Sequence, residues 1–343
     1  MLTYMSIVLS IVIAFQNGVR SDREISLVGS LALMITNRPS RIFHTPSIAY
    51  EWEKRTRSEH DQFIKDQKYE RQVELALAEV LCRLTGSLQA QRFFVKASAL
   101  GLPSHDNLRF YDNFILSYDN RLKQPGWFER LRKTDFRGLT ARLPPKRSRL
   151  IPDQTIHELA RANFQDYIGT EYDRCHLAAL SNRRFNQDAL DQSFRMTNTA
   201  PQATGLNQKG GVWYRLDGYV AFLAARTANA YVVTGTAYKP PRDLSDVRYR
   251  VIGLNRIAVP THFYKAILSE DIMGKMSIEV FVIPNSQQIT ENERLEKFRI
   301  DVADLDELEE VIGLKFFDIL DRSKIVKLTA YQYHYEEPSS KSI

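Results

Sequence analysis

The spacing of hydrophobic and polar positions changes several times along the chain, and these changes predict its elements. Residues 48–100 read as helical, because a charged stretch is followed by an apolar stripe at helical spacing. Short runs rich in β-branched and aromatic residues predict strands at Phe114–Tyr118, Tyr231–Val233, Tyr249–Ile252, Arg256–Pro260 and Ser277–Ile283. Helices are predicted to open at Trp127–Leu131 and to cover Asp304–Ile312. Because these elements lack a regular βαβ alternation, the pattern predicts an α+β fold.

The amino terminus differs from the rest of the chain. The apolar runs Met1–Phe15 and Ile25–Ile35 are each shorter than the ~20 residues of a membrane-spanning helix. Residues 1–45 are net basic, which fits a mitochondrial targeting segment or a membrane anchor. The breaking sequence Gly101-Leu102-Pro103 predicts the main boundary. We therefore expect a targeting or anchor segment at 1–45, a helical extension at 46–100, a main domain at 101–326 and a tail at 327–343.

Composition and charge narrow the class of protein. Of the 343 residues, 43% are hydrophobic and 26% charged, which excludes a disordered, collagenous or polytopic membrane chain. Two cysteines exclude a disulfide scaffold and a cysteine-rich zinc module. The net charge of +6 permits a polyanionic partner. Basic residues concentrate between Arg121 and Leu150, which indicates either a phosphate-binding surface or a solvated loop.

Several known catalytic motifs are absent. His157-Glu158 begins the zinc motif H-E-x-x-H, but Arg161 stands where the second histidine is required. Gly205 and Gly210 have the separation of a phosphate-binding P-loop, but Gly211 replaces its lysine. The sequence also lacks a dinucleotide-binding glycine motif and a nucleophilic serine elbow.

The remaining polar residues fit phosphodiester hydrolysis. His176 is a suitable base for an attacking water, because a neutral imidazole accepts a proton near pH 7. The amide oxygen of Asn207 is a hard ligand of the kind Mg²⁺ takes, and a carboxylate such as Asp217 orients metal-bound waters. Arg174 is placed to pair with phosphate. Taken alone, this spacing also fits a structural histidine in a polar loop.

The segment Tyr172–Ala178 resembles the D-R-G-H segment of the DNA/RNA non-specific endonucleases, a family of ββα-metal nucleases that includes mitochondrial enzymes. The separation of 31 residues between His176 and Asn207 matches the family without a gap. Further matching marks are Gly101-Leu102-Pro103, Leu116-Ser117-Tyr118-Asp119, Ser181-Asn182, Thr197-Asn198, Ala200-Pro201-Gln202, Val232-Val233-Thr234-Gly235 and Val282-Ile283-Pro284-Asn285. The resemblance covers about Leu100 to Arg322.

The resemblance implies a ββα-metal (His-Me finger) fold, in which helices flank a central mixed or antiparallel sheet and two strands and a helix hold the metal. It implies that His176 is the general base, assisted by Arg174. It implies that Asn207, at the start of the motif's helix, is the protein ligand of one Mg²⁺ (or Mn²⁺). Asp217 stands where the family has a glutamate that holds the metal's waters.

The resemblance also implies substrates, assembly and location. DNA and RNA would be cut without sugar specificity, and the nucleic acid would contact Arg174, Arg121, Lys123 and Lys209. The usual assembly is a homodimer. A mitochondrial location follows, in the intermembrane space or at the inner membrane. Residues 1–45 could anchor the chain to the membrane. Secretion is the alternative location.

The chain departs from the family pattern at the site. Cys175 and Glu171 replace glycines, Asp217 replaces glutamate and Ala221 replaces arginine. We expect Cys175 to strain the backbone if its position needs a positive φ. An alternative function is therefore a weak or inactive homologue that binds nucleic acid or a partner.

The chain also has two extra residues between Asn207 and Trp213. If the chain is aligned with the family backward from Trp213 without a gap, Lys209 takes the position of the metal ligand. A positively charged side chain is unsuitable there. Asn207 is preferred, because its spacing from His176 fits and the glycines in the gap tolerate an insertion.

Overall fold

The computed structural model describes residues 75–76, 78–83, 86–104, 106–112, 114–132, 149–183, 187–240, 246–322 and 325–327. The predicted targeting or anchor segment, most of the basic stretch and most of the tail lie outside these ranges. Within them, no helix has both the length and the apolar character to cross a bilayer. The chain divides into two compact units between Val95 and Lys96. The domain limits given above stay a prediction.

The described part of the predicted helical region is helical. Residues 78–83 form one helical segment and α1 covers Leu88–Leu100. Ser87 begins α1, because its Oγ accepts a hydrogen bond from the Ala90 amide at 3.1 Å and so satisfies one of the unpaired N–H groups of the first turn.

The second unit is built on an eight-stranded sheet. Its strands are β1 (Leu108–Phe110), β2 (Phe114–Asp119), β3 (Gln124–Arg132), β6 (Asn229–Ala237), β9 (His262–Glu270), β10 (Met276–Pro284), β11 (Arg299–Ile300) and β12 (Val326–Lys327). Their order is β1-β2-β3-β6-β9-β10-β11, with β12 also paired to β10. All neighbours are antiparallel except β10 and β12. The predicted α+β class and mixed central sheet are confirmed.

Two small ribbons and three helices complete this unit. The ribbons pair β4 (Tyr172–His176) with β5 (Thr199–Ala203) and β7 (Val251–Ile252) with β8 (Ile257–Ala258). The helices are α2 (Gln187–Ser193), α3 (Val212–Arg226) and α4 (Val302–Ile312). Short 3-10 helices occupy Glu158–Ala160, Phe164–Tyr167, Leu180–Arg183, Met196–Asn198 and Leu295–Phe298.

Helix α3 forms the centre of the core. Its residues Trp213, Leu216, Val220 and Leu223 are fully buried, as their helical spacing predicts. They belong to one hydrophobic cluster with residues of the sheet strands and of the β4–β5 ribbon. The core therefore fixes the ribbon and α3 relative to each other, and these are the elements that carry the predicted site residues.

Two expectations about elements were wrong or incomplete. Trp127–Leu131, expected to open a helix, lies in β3, because pairing with both β2 and β6 satisfies its backbone. Strand β9 was not predicted, although it is central in the sheet. Of the predicted strand Tyr249–Ile252, only Val251–Ile252 is paired.

Candidate active site

His176 ends strand β4, where it is paired with Thr199 of β5. Its ring meets Phe194 edge-on, with 5.5 Å between the ring centroids. Burial and, to a smaller extent, the charge of Arg174 lower the pKa of the imidazole to about 4. Its Nε2 is buried and has no hydrogen-bond partner among the described residues. At neutral pH the ring is therefore uncharged, with a nitrogen available for a proton.

Arg174 lies two residues before His176 on the same ribbon. Its guanidinium carbon is 4.2 Å from the ring centroid of Phe164 and 5.8 Å from that of Tyr167. It forms no ion pair within the part of the chain that is described. The arginine thus keeps its full positive charge beside the imidazole.

The turn before α3 is closed by backbone contacts. The carbonyl oxygen of Leu206 accepts a hydrogen bond from the Trp213 amide at 2.9 Å, which satisfies an N–H in the first turn of the helix. Gly210 has φ +90°, and a Cβ on Gly211 would lie 2.4 Å from the Leu206 oxygen. Glycines are therefore required at these two positions of the turn.

Asn207 lies in this turn. It was expected at the start of the helix, but α3 begins five residues later, at Val212. Asn207 Nδ2 donates to Cys175 Sγ at 3.9 Å, so the amide contacts the residue next to His176. Lys209, the other residue considered for the metal, is exposed. This arrangement favours Asn207 over Lys209.

Asp217 lies one and a half turns into α3 and is buried. Its Oδ1 accepts a hydrogen bond from Lys265 Nζ at 2.9 Å, and that lysine is 1% exposed. The Lys265 ammonium also lies 4.7 Å from the ring centroid of Trp213. Burial raises the pKa of Asp217 to about 6, although Lys265 opposes this shift and Glu129 adds to it. The carboxylate is therefore held by a buried ion pair.

The site residues lie within a region that matches a known protein family. The family model for DNA/RNA non-specific endonucleases matches residues 95–323. The chain belongs to this family. It is 35% identical over 232 residues to human mitochondrial endonuclease G, covering 66% of this chain and 75% of that protein. It is 32% identical over 237 residues to the mitochondrial nuclease EXOG of Danio rerio, covering 66% of each chain.

Solved structures agree with this assignment. A crystal structure of the EndoG/EndoGI complex is 33% identical and has a TM-score of 0.64, covering 71% of this chain and 96% of that one. The ββα-metal nuclease fold is therefore confirmed, and β4, β5 and α3 correspond to its two strands and helix. As a member of this family the protein is a metal-dependent phosphodiesterase that acts on nucleic acid.

The substitution of Cys175 does not strain the nuclease backbone. Cys175 is paired with Ala200 in the ribbon and its φ is not positive, so the condition under which we expected strain from φ is not met. The side chain is fully buried in the core cluster. Burial raises the pKa of the thiol well above its usual value, and Asp217 adds to this. The thiol therefore packs as a small neutral side chain.

The negative charge of Glu171 is neutralised. Its carboxylate forms an ion pair with Arg250, and Arg250 Nη1 also lies 3.4 Å from the hydroxyl oxygen of Tyr172. The departure from glycine at this position therefore adds no unpaired negative charge near the ribbon.

The predicted nucleic-acid residues do not all suit that role. Arg121 and Lys123 lie in the turn between β2 and β3, where Arg121 is exposed but Lys123 is only 9% exposed, at φ +57°. A lysine buried to this extent has little access to a phosphate, so Lys123 is a poor candidate. No hydrogen bond or ion pair among the described residues joins this turn to His176 or Asn207.

The donor atoms fit a magnesium ion bound through few protein contacts. The described residues contain no group of three His, Cys, Asp or Glu side chains arranged around a common metal position. A hard amide oxygen on Asn207 and a carboxylate on Asp217 suit an ion that keeps most of its waters. The donor set thus matches Mg²⁺ better than a soft metal held by thiolate and imidazole.

Two residues that contact the predicted site residues were missed by the sequence analysis. Lys265 interrupts an otherwise apolar run in β9, and a lysine inside a buried strand is a signal for a buried partner. Phe164 lies twelve positions before His176, and the sequence gives no comparable signal for it.

Proposed function

We propose that this nuclease hydrolyses phosphodiester bonds of both DNA and RNA, with His176 as its general base. The observation that supports this is the buried Nε2 of His176, which has no hydrogen-bond partner among the described residues. The low pKa of the ring keeps it unprotonated beside Arg174, which forms no ion pair with any described residue. A base in this state accepts a proton from water without first losing one of its own.

The side chains divide the reaction between them. His176 Nε2 takes a proton from the attacking water as its oxygen bonds to phosphorus and the bond to the leaving oxygen breaks. Arg174 binds a non-bridging phosphate oxygen, where its charge matches that of the transition state. Lys209, exposed in the Asn207 turn, contacts a neighbouring phosphate, and Arg121 contacts a more distant one.

Asn207 and Asp217 are the residues that would hold Mg²⁺ (or Mn²⁺). The Asn207 amide oxygen would bind the ion directly, and the Asp217 carboxylate would bind its waters. When bound, the ion offsets negative charge on the phosphate and the leaving oxygen. The ion pair with Lys265 keeps the shorter aspartate fixed in orientation.

We also propose that the enzyme is a homodimer in the mitochondrial intermembrane space or at the inner membrane. The support for the location is that relatives at 32% to 35% identity are named mitochondrial nucleases, whereas the homodimer follows from the family resemblance alone. Residues 1–45 would provide targeting or anchoring. Light scattering on the purified chain tests the assembly, and fractionation of cells expressing a tagged chain tests the compartment, with secretion into the medium as the contrary result.

One cleavage assay tests the proposed function. Supercoiled plasmid and single-stranded RNA are incubated with the purified protein in Mg²⁺ or EDTA, beside His176→Ala and Asn207→Ala. We expect cleavage of both substrates only with the metal, and a loss of at least about 100-fold in each variant. The exposed His157→Ala is the matched control and should cut normally.

The contrary results are specific. If the wild type and His176→Ala cut equally poorly, the nuclease mechanism fails and the inactive homologue is the better description. If Lys209→Ala abolishes cleavage and Asn207→Ala does not, the ungapped alignment is correct and the metal ligand has been misassigned.

A further inference from the structure

The guanidinium of Arg174 is held by an aromatic ring rather than by an oxygen atom. By contrast, Arg299 pairs with the carboxylate of Glu279 at 3.1 Å, and the buried Arg215 donates to the backbone carbonyl oxygen of Gly210 at 3.1 Å. Arg174 instead lies over the Phe164 ring, with 4.2 Å between guanidinium carbon and ring centroid. This arrangement fixes the guanidinium by a cation–π contact, which leaves its charge uncancelled.

Phe164 has no other evident role in the fold. Its side chain is 45% exposed, and it is absent from the core cluster on which the ribbon packs. Yet its turn is firmly anchored, because Asp166 accepts hydrogen bonds from the Asn163 amide at 2.8 Å and from Asn255 Nδ2 at 2.8 Å. The chain therefore fixes an exposed aromatic ring against one particular arginine.

A carboxylate partner would order Arg174 equally well, but it would compete with the phosphate for the same donors. An unpaired arginine without the ring would lose rotamer freedom each time it bound a phosphate. A ring partner avoids both costs, since it orders the side chain and leaves the N–H donors available at the edge of the guanidinium.

We propose that Phe164 is a positioning residue for phosphate binding, which holds the guanidinium of Arg174 in place beside His176. This inference rests on the proposed function, because it presumes that Arg174 binds the phosphate of a nucleic acid.

The test is a double-mutant cycle on binding. A fluorescein-labelled single-stranded DNA is titrated with full-length protein in EDTA, over a series of salt concentrations. The variants are Phe164→Leu, Phe164→Tyr, Arg174→Ala and the double variant Phe164→Leu/Arg174→Ala. Leucine keeps apolar bulk without the ring, and tyrosine keeps the ring.

We expect Phe164→Leu to raise Kd about 2- to 5-fold and Phe164→Tyr to restore it. Arg174→Ala should weaken binding further and reduce the slope of log K against log salt by about 1. The double variant should bind no more weakly than Arg174→Ala, because the ring acts through the arginine. Phe222→Leu is the matched control, since its ring also holds a guanidinium, that of Arg226 at 3.6 Å, at the other end of α3.

Three results would overturn the inference. Unchanged binding by Phe164→Leu would show that the ring does not matter. An equal loss in the Arg174→Ala background would show that the ring contacts the nucleic acid itself. A Kd that rises as much in Phe222→Leu would show a non-specific effect. Wild-type protein that neither binds nor cuts nucleic acid would instead refute the proposed function.

Discussion

Replacing Lys265 with methionine tests whether the buried ion pair controls the ionisation of Asp217. The two side chains are 1% and 7% exposed, and 2.9 Å separates Lys265 Nζ from Asp217 Oδ1. Removing the lysine leaves a carboxylate buried without its partner, which typically destabilises a protein by about 3–5 kcal/mol. The carboxyl avoids most of this cost by taking up a proton, so the loss at pH 7 is about 1.4 kcal/mol, which lowers Tm by about 3–6 °C in a domain of about 230 residues.

The loss should depend on pH, and its sign follows from linkage. The pKa of Asp217 is about 6 in the folded protein, against 3.8 for the unperturbed group. Between these values the folded state holds more protons than the unfolded state, so this group makes stability fall as pH rises. Above about pH 6 its contribution in the wild type is constant. Without Lys265, which lowers this pKa, the fall continues above pH 6 at about 1.4 kcal/mol per pH unit.

Urea unfolding of the full chain at pH 5.5, 7 and 8 measures this directly. Lys265→Met should lose little stability relative to the wild type at pH 5.5 and progressively more at pH 7 and 8. The control Asp217→Asn/Lys265→Met removes both charges and should show no extra pH dependence, with most of the stability recovered. An equal loss at all three pH values, or a double variant as unstable as the single one, would refute the reasoning.

Three further predictions follow from the same geometry. Gly211→Ala should lower cleavage about 100-fold, because its Cβ would lie 2.1 Å from a backbone oxygen of the turn that carries Asn207. The control Gly126→Ala should cleave normally, because the nearest atom to its Cβ is 3.8 Å away. A thiol reagent such as DTNB should label neither cysteine of the native protein and both cysteines after unfolding, because Cys82 and Cys175 are 1% and 0% exposed. Rapid labelling of the native protein would contradict their burial. In metal-free protein His176 should titrate near pH 4 by NMR, and a midpoint near 6.5 would contradict its desolvation.

Elements with a clear hydrophobic period could be predicted from the sequence, because one face of each packs against the core. The helix α4 and the strand β10 have a clear period and were predicted close to their observed limits. Strand β3 was mistaken for a helix because Glu129, 1% exposed, occupies an inward position where alternation requires an apolar residue. The buried charge of Glu129 therefore interrupts the alternation of apolar and polar residues that would have predicted a strand.

The site was predictable only in part. His176 and Asn207 were assigned because their spacing matches the family, whereas the residue types and spacing alone favoured a structural histidine in a polar loop. The ion pair joins Asp217 to a residue 48 positions away on the unpredicted strand β9, and no local pattern specifies such a partner. The conformation of the turn that carries Asn207 is likewise set by backbone contacts, and the glycines are the sole sign of these contacts in the sequence.

The departures from the family pattern bear on whether the site can work, and three of the four are accommodated by their surroundings, the replacement of arginine by Ala221 being the exception. The charge of Glu171 is paired with Arg250, and the carboxylate of Asp217 with Lys265. Cys175 adds no charge, because burial keeps its thiol protonated. Arg174, in contrast, has no carboxylate partner among the described residues, so the positive charge that we propose for phosphate binding is kept while the added negative charge of Glu171 is paired. This arrangement agrees with the proposed nuclease mechanism, because an unpaired carboxylate near the ribbon would repel a phosphate.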